Sequence, residues 1–222
     1  MGRTSVRAAT AELARRDRVI AGLVAQFGPS RLRRDGHDHF GALARSIVYQ
    51  QLAGRAAAAI HGRFEALFDG PPTAEAVLAL PEETLRGVGL SGSKTKSIVD
   101  LATKVASGEV LLDGIERLPD ERIVQRLVAV RGIGRWTAEM FLIFQLGRLD
   151  VWPVDDLGVR VGYGLAWGLE QAPSAAALLP LGDRFRPYRS IAACYCWRAV
   201  EGARSAAGGP GGAARTGSQQ NQ

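Results

Sequence analysis

The 222-residue chain carries 28 basic and 22 acidic side chains for a net charge of +6, and its 46% hydrophobic content is that of an ordinary globular protein of one domain or two small ones. No apolar run approaches the roughly 20 residues of a bilayer crossing, and the arginine-dotted start lacks a signal-peptide core. Two cysteines supply neither a disulfide framework nor a four-thiolate zinc or iron–sulfur site, so secreted mini-proteins, membrane proteins and iron–sulfur enzymes are set aside and a cytoplasmic location is expected.

The charge is unevenly placed. Residues 1–34 hold Arg3, Arg7, Arg15, Arg16, Arg18, Arg31, Arg33 and Arg34 against Glu12 and Asp17, which accounts for the whole excess. Such a basic helical segment suits a polyanion through counterion release, and reads equally well as a solvated helix face. Leu13, Ile20, Leu23, Val24 and Phe27 recur at helical spacing over 12–27. Phe40, Leu43, Ile47 and Val48 form one stripe over 39–52 that runs into Gln50 and Gln51. Pro71-Pro72 then breaks the chain, Thr73 caps a short helix from Ala74 to Leu80, and Pro81 opens another that ends at Gly87 or Gly89. Further helices are predicted over 93–107, 119–130, 134–147, 156–167, 174–180 and 187–202. Alternating strand patterns are essentially absent, so the predicted fold is all-α. Residues 205–222, glycine-rich and then Gln/Asn-rich, cannot bury enough to fold and read as a disordered tail.

The most informative stretch is Leu127-Val128-Ala129-Val130-Arg131-Gly132-Ile133-Gly134-Arg135-Trp136-Thr137-Ala138. An apolar helix ends, two glycines flank one apolar residue, and a second helix starts at once. Glycine admits positive φ and lets a ligand approach the backbone, while amides at the following helix start attract an anion. Ile133 reads as a buried pin, and the whole as a helix-hairpin-helix that grips phosphate through main-chain N–H groups. An ordinary helical hairpin with Gly132 as C-cap gives the same pattern. A second glycine-centred turn, Gly87–Ser93, places Ser91 and Lys94 at another helix start, as a DNA contact or a simple capped turn.

Past the hairpin comes Val151-Trp152-Pro153-Val154-Asp155-Asp156-Leu157-Gly158, where two carboxylates precede an apolar helical run. Asp155 reads as the N-cap, which leaves Asp156 to point into a cleft. A fixed anion beside a nucleotide sugar is what N-glycosidic cleavage needs, because its transition state resembles an oxocarbenium ion; the same carboxylate can activate water.

The order of an apolar helix with Gln-Gln, a Gly-Ile-Gly-x-x-Thr-Ala hairpin and Pro-Val-Asp-Asp-Leu-Gly resembles the helix-hairpin-helix base-excision DNA glycosylases, 3-methyladenine DNA glycosylase II type, over about residues 35–202, within a domain expected to span 35–204. The resemblance implies two helical subdomains flanking a DNA-binding cleft, without the N-terminal β domain of bacterial relatives. It implies Asp156 as the catalytic carboxylate, since Val159 and Val161 follow at the family's spacing. It assigns Trp136, Met140, Trp197 and Trp152 to the base pocket, with Met140 where relatives carry tyrosine. Gln50 and Gln51 stand where relatives fill the gap left by the extruded base, and Arg131, Gly132, Ile133, Gly134, Arg135 and Thr137 at the phosphate grip. It further implies a structural Na+ or K+ at the carbonyls of Val128, Val130 and Ile133, and otherwise no cofactor.

Trp136 occupies the place of the lysine nucleophile of strand-cleaving relatives, and residues 105–222 contain no lysine, so a monofunctional enzyme using water is expected. The expected partner is double-stranded DNA containing alkylated bases, with no obligate protein partner, no membrane and a monomeric state. An N3- or N7-alkylated purine is cationic and already labile, so little general-acid help is needed. His37 and His39 read as solvated loop histidines, and Cys194 and Cys196 as packing residues. Two other readings share these features: a non-catalytic helix-hairpin-helix DNA-binding module, and a glycosylase for a different damaged base.

Overall fold

Capping side chains set where most of the helices begin. In the computed structural model, which describes residues 4–30, 32, 36–52 and 54–207, Ser5 opens α1 (Val6–Arg16) and Asp17 opens α2 (Arg18–Phe27). Asp38 caps α3 (His39–Tyr49), and α4 (Gly54–Glu65) follows. Thr73 caps α5 (Ala74–Leu78), Pro81 precedes α6 (Glu82–Gly87), and Ser91 caps α7 (Gly92–Ala106). Pro119 leads into α8 (Asp120–Leu127) and Gly134 into α9 (Arg135–Met140), which continues as a π-helical turn, Phe141–Gln145. Asp156 caps α10 (Leu157–Trp167), Ser174 caps α11 (Ala175–Leu181), and α12 spans Arg189–Ala207. No strand occurs among the described residues, in agreement with the all-α expectation, and no described helix is long and apolar enough to cross a membrane.

Several boundaries differ from the sequence reading. The helix expected over 12–27 is two helices, because the Asp17 carboxylate turns back to accept from the Val19 and Ile20 amides at 2.9 and 3.1 Å. The stripe over 39–52 stops at Tyr49, where Gln50 caps it. The helix expected over 134–147 switches after Met140 to π geometry, with the Leu146 amide donating to the Phe141 carbonyl at 3.0 Å. Helix α4 went unassigned because its alanine run offers no apolar periodicity. Helix α12 continues through Ala207, into the stretch expected as a tail; residues 208–222, like Arg3, Arg31, Arg33 and Arg34 of the basic segment, lie outside the described residues.

The chain divides into two compact units, one formed by residues 1–31 and 152–222 and the other by 32–151. In the first, α1 and α2 belong with α10–α12 around a core of Leu13, Ile20, Phe185, Ile191 and Tyr195. The start of the basic segment is used structurally: Arg16 donates to the carbonyls of Arg184 and Arg186, and buried Asp17 pairs with Arg184 at 2.7 Å. Helices α10 and α12 cross at backbone contact, since a Cβ on Gly162 would lie 2.0 Å from the Cys196 carbonyl oxygen. In the second unit, α3–α9 enclose Leu43, Ile47, Phe64, Leu85, Ile98, Leu101, Ile123 and Leu127.

Candidate functional site

In the first unit, Asp156 is both the N-cap of α10 and a buried carboxylate. Its Oδ1 accepts the Val159 amide at 2.8 Å and the Trp197 indole Nε1–H at 2.9 Å. The cap therefore falls on Asp156, whereas Asp155, expected to cap, is exposed in the preceding turn. The Val159 amide and the indole together fix the orientation of the carboxylate. This contact depends on glycine: a Cβ on Gly158 would meet Trp197 Cδ1 at 2.9 Å and Asp156 Oδ1 at 3.0 Å. Gly158 and Gly162, one turn apart, let α12 approach closely enough to lay Trp197 on the carboxylate. Trp197 thus supports the carboxylate. Trp152, expected in a pocket, is core: it is 5% exposed, donates to the Leu178 carbonyl at 3.0 Å, and packs on Tyr163 and Phe185.

In the second unit, a cavity of about 490 Å³ collects many of the remaining predicted positions. Gln50, Gln51, Gly132, Trp136, Thr137 and Met140 all line it. Trp136 and Phe144 are exposed large hydrophobic residues on its wall, free of the burial that marks an ordinary core aromatic. Sequence reasoning missed Arg45, Tyr49, Phe144 and Gln145. The Arg45 guanidinium lies over the Tyr49 ring at 4.3 Å, a cation–π contact one turn apart on α3. Phe144 and Gln145 reach the wall through the π turn, whose extra residue shifts the register after Met140.

The hairpin joins α8 to α9 through a tight turn in which the Ile133 amide donates to the Val130 carbonyl at 3.1 Å. Ile133 is buried, as the pin reading required. Only one of the two glycines uses positive φ: Gly132 is at +77°, and Gly134 is extended at −91°. Gly132 also lacks room for a side chain, since a Cβ would lie 2.5 Å from Ser97 Oγ. Gly134 caps α9 without a side-chain cap hydrogen bond, in contrast to the cap residues of α1, α2, α3, α5, α7, α10 and α11. An anion can take that place.

Several residues expected to face outward are tied into the protein. Gln50 donates from Nε2 to the Gly132 carbonyl at 2.8 Å, bracing α3 against the hairpin. Gln51 is exposed with φ +56°, an uncommon conformation for a non-glycine residue at the cavity rim. The Arg131 side chain is exposed, but its amide is held by Asp100 Oδ2 at 2.7 Å. Arg135 is a strut between α8 and α9: it chelates Glu121 at 2.9 and 3.1 Å and contacts Glu139 at 3.2 Å, which engages three of its five N–H donors within the fold. Lys94 donates to the Val48 carbonyl at 2.7 Å, and burial lowers its pKa; Ser91 caps α7, so this turn is a capped turn. His37 and His39 are half-buried and bonded. His37 lies 3.6 Å from Glu65, and His39 meets Gln145, so neither is a solvated loop histidine. No cluster of three His, Cys, Asp or Glu among the described residues forms a metal site.

Comparison with known proteins places these features in a group. The family described as HhH-GPD superfamily base excision DNA repair protein matches residues 44–178. DNA-3-methyladenine glycosylase 1 of Schizosaccharomyces pombe is 36% identical over 179 residues, 79% of this chain and 78% of the relative. The solved structure of the 3-methyladenine DNA glycosylase Mag1 of fission yeast in complex with abasic DNA matches with a TM-score of 0.76 at 34% identity, covering 86% of this chain and 95% of that one. The crystal structure of DNA-3-methyladenine glycosidase from Bacillus halodurans gives 0.80 at 32% identity, covering 92% and 95%.

Proposed function

The chain belongs to the HhH-GPD superfamily of base-excision DNA repair proteins, and we propose that it is a monofunctional DNA N-glycosylase that removes alkylated purines of the 3-methyladenine and 7-methylguanine type from double-stranded DNA. The observation that carries the reading is the Asp156 carboxylate, buried and fixed in place by hydrogen bonds from the Val159 amide and the Trp197 indole.

The target nucleotide leaves the stack, at a cost of a few kcal/mol that is smaller for a damaged pair. The cationic base stacks on exposed aromatic surface, for which Trp136 and Phe144 are suited. The C1′–N bond breaks with its electron pair going to the base, which leaves neutral and needs no added proton. The deoxyribose becomes cationic, and Asp156 stabilises it electrostatically. Water then attacks C1′ and loses a proton to the carboxylate, completing hydrolysis. No lysine follows Lys104 in the sequence, so an amine nucleophile from the hairpin or beyond plays no part.

The start of α9, where Gly134 brings no capping side chain, receives a backbone phosphate. The carbonyls of Val128, Val130 and Ile133 are neutral oxygen donors of the kind that hold Na+ or K+. The turn's carbonyl face already draws positive charge, since the Lys104 ammonium contacts the Ala129 oxygen at 2.5 Å. A cation held there would add positive charge beside the phosphate. Incubation with methylated duplex DNA, with chromatography of the released bases, tests the reading. Free 3-methyladenine and 7-methylguanine are expected; tight binding to DNA without release of any base leaves a DNA-binding module instead.

A further inference from the structure

Two side chains of α7 close a ring with the hairpin turn. Asp100 Oδ2 accepts the Arg131 amide at 2.7 Å, and one helical turn further on the Lys104 ammonium donates to the Ala129 carbonyl at 2.5 Å. The two side chains also pair with each other, Nζ to Oδ2, at 3.2 Å. The path from the Ala129 oxygen through Lys104 and Asp100 to the Arg131 N–H thus returns to the main chain on the far side of Val130. Val130 is buried, and its carbonyl accepts the Ile133 amide that closes the turn. Ser97 shares this face of α7, at i−3 from Asp100, and stands against Gly132, where a Cβ would lie 2.5 Å from its Oγ. One helix face therefore shapes residues 129–132.

A helical hairpin closes with a glycine cap and its own main-chain bonds, without help from side chains. Here three side chains from two other helices hold three of the turn's main-chain groups: Lys104 the Ala129 carbonyl, Asp100 the Arg131 amide and Gln50 the Gly132 carbonyl. Lys104 and Asp100 are 21% and 29% exposed, so this pair is less screened by solvent than a surface ion pair. Such bracing exceeds what joining two helices requires. Its consequence is preorganisation: a turn held in shape before an anion arrives loses little freedom on binding it. The Lys104 ammonium is committed to a carbonyl and a carboxylate, which suits a brace rather than a contact to DNA. Resting on the reading of the hairpin as the grip on backbone phosphate, we infer that Asp100 and Lys104 are positioning residues for DNA binding. They hold the turn in its phosphate-binding shape and do not touch the phosphate.

The test titrates the full chain with an abasic duplex at several salt concentrations, beside thermal melts that show each variant folded at the assay temperature. Lys104→Met keeps an unbranched stem and removes the ammonium. Its affinity is expected to fall about fivefold or more, the lower end of the usual coupling between linked sites. The slope of log affinity against log salt should stay unchanged, because no phosphate contact is lost. Asp100→Ala is expected to act in the same way, whereas Lys104→Arg, which keeps a charged donor, should stay within about twofold of the unmutated protein. A Lys104→Met affinity equal to that of the unmutated protein overturns the inference and leaves the pair a role in stability alone. A slope shallower by about 0.9 also overturns it, since Lys104 would then be a phosphate contact itself. Failure of the unmutated protein to bind the duplex removes the reading of the hairpin and the inference together. Tight binding by the unmutated protein, matched by Lys104→Met, discards the role of the pair alone.

Discussion

Replacing Trp197 with phenylalanine isolates one bond at the carboxylate. The change removes the indole N–H that donates to Asp156 Oδ1 at 2.9 Å and leaves the Val159 amide, at 2.8 Å, on the same oxygen. The cap of α10 therefore survives, and an aromatic ring still fills the space that Gly158 leaves open. A hydrogen bond to a charged group contributes about 1.5–3 kcal/mol. Where that energy holds the carboxylate against the developing sugar cation, its loss lowers the single-turnover rate about 10- to 150-fold. The smaller ring costs about 1–2 kcal/mol of stability, and affinity for an abasic duplex stays within about twofold. The assay is single-turnover release of 3-methyladenine from methylated DNA beside a denaturant melt. A rate equal to that of the unmutated protein refutes the claim that the indole positions Asp156.

Gly162→Ala drives a methyl group to 2.0 Å from the Cys196 carbonyl oxygen, so α10 and α12 must separate. A loss of about 3 kcal/mol or more is expected, seen as a fall in Tm of about 6–12 °C. Gly132→Ala meets both a φ of +77° and Ser97 Oγ at 2.5 Å, and is expected to cost about 1–3 kcal/mol; adding Ser97→Gly restores the part due to the clash. Burial pushes the Cys194 thiol up to about 11 and the Cys196 thiol further in the same direction, so a thiol reagent at pH 8 should label neither until the protein is unfolded. Excised DNA should remain uncut until alkali or an abasic endonuclease is added, and borohydride should trap no protein–DNA adduct.

Much of this architecture is local and so was legible in the sequence. Thr73 and Ser91 start helices where cap chemistry predicts, and Gly132-Ile133-Gly134 builds the expected turn with Ile133 buried. What escaped depends on partners distant in sequence. Arg135 was read as a phosphate contact because nothing local shows that Glu121, fourteen residues earlier, will chelate it. Trp152 lay beside the acidic pair and was taken for a pocket residue, yet Gly182 leaves a slot that its indole fills: a Cβ there would lie 2.4 Å from the ring. The move of the cap from Asp155 to Asp156 is a one-residue shift of a helix start, the usual uncertainty of cap assignment. One overlooked signal was present: Gly158, Gly162 and Gly164 in one helix each cost about 1 kcal/mol relative to alanine, which points to a close backbone approach. The π turn left no comparable mark, and with it Phe144 and Gln145 were missed.

The central claim rests on the charge of Asp156, and Asp156→Asn tests it directly, because asparagine caps a helix as well as aspartate and preserves the fold. Single-turnover release of 3-methyladenine should fall by about 10²–10³ or more, with an unchanged melt and unchanged affinity for abasic DNA. Release at the unmutated rate would contradict the account and move the chemistry to another group.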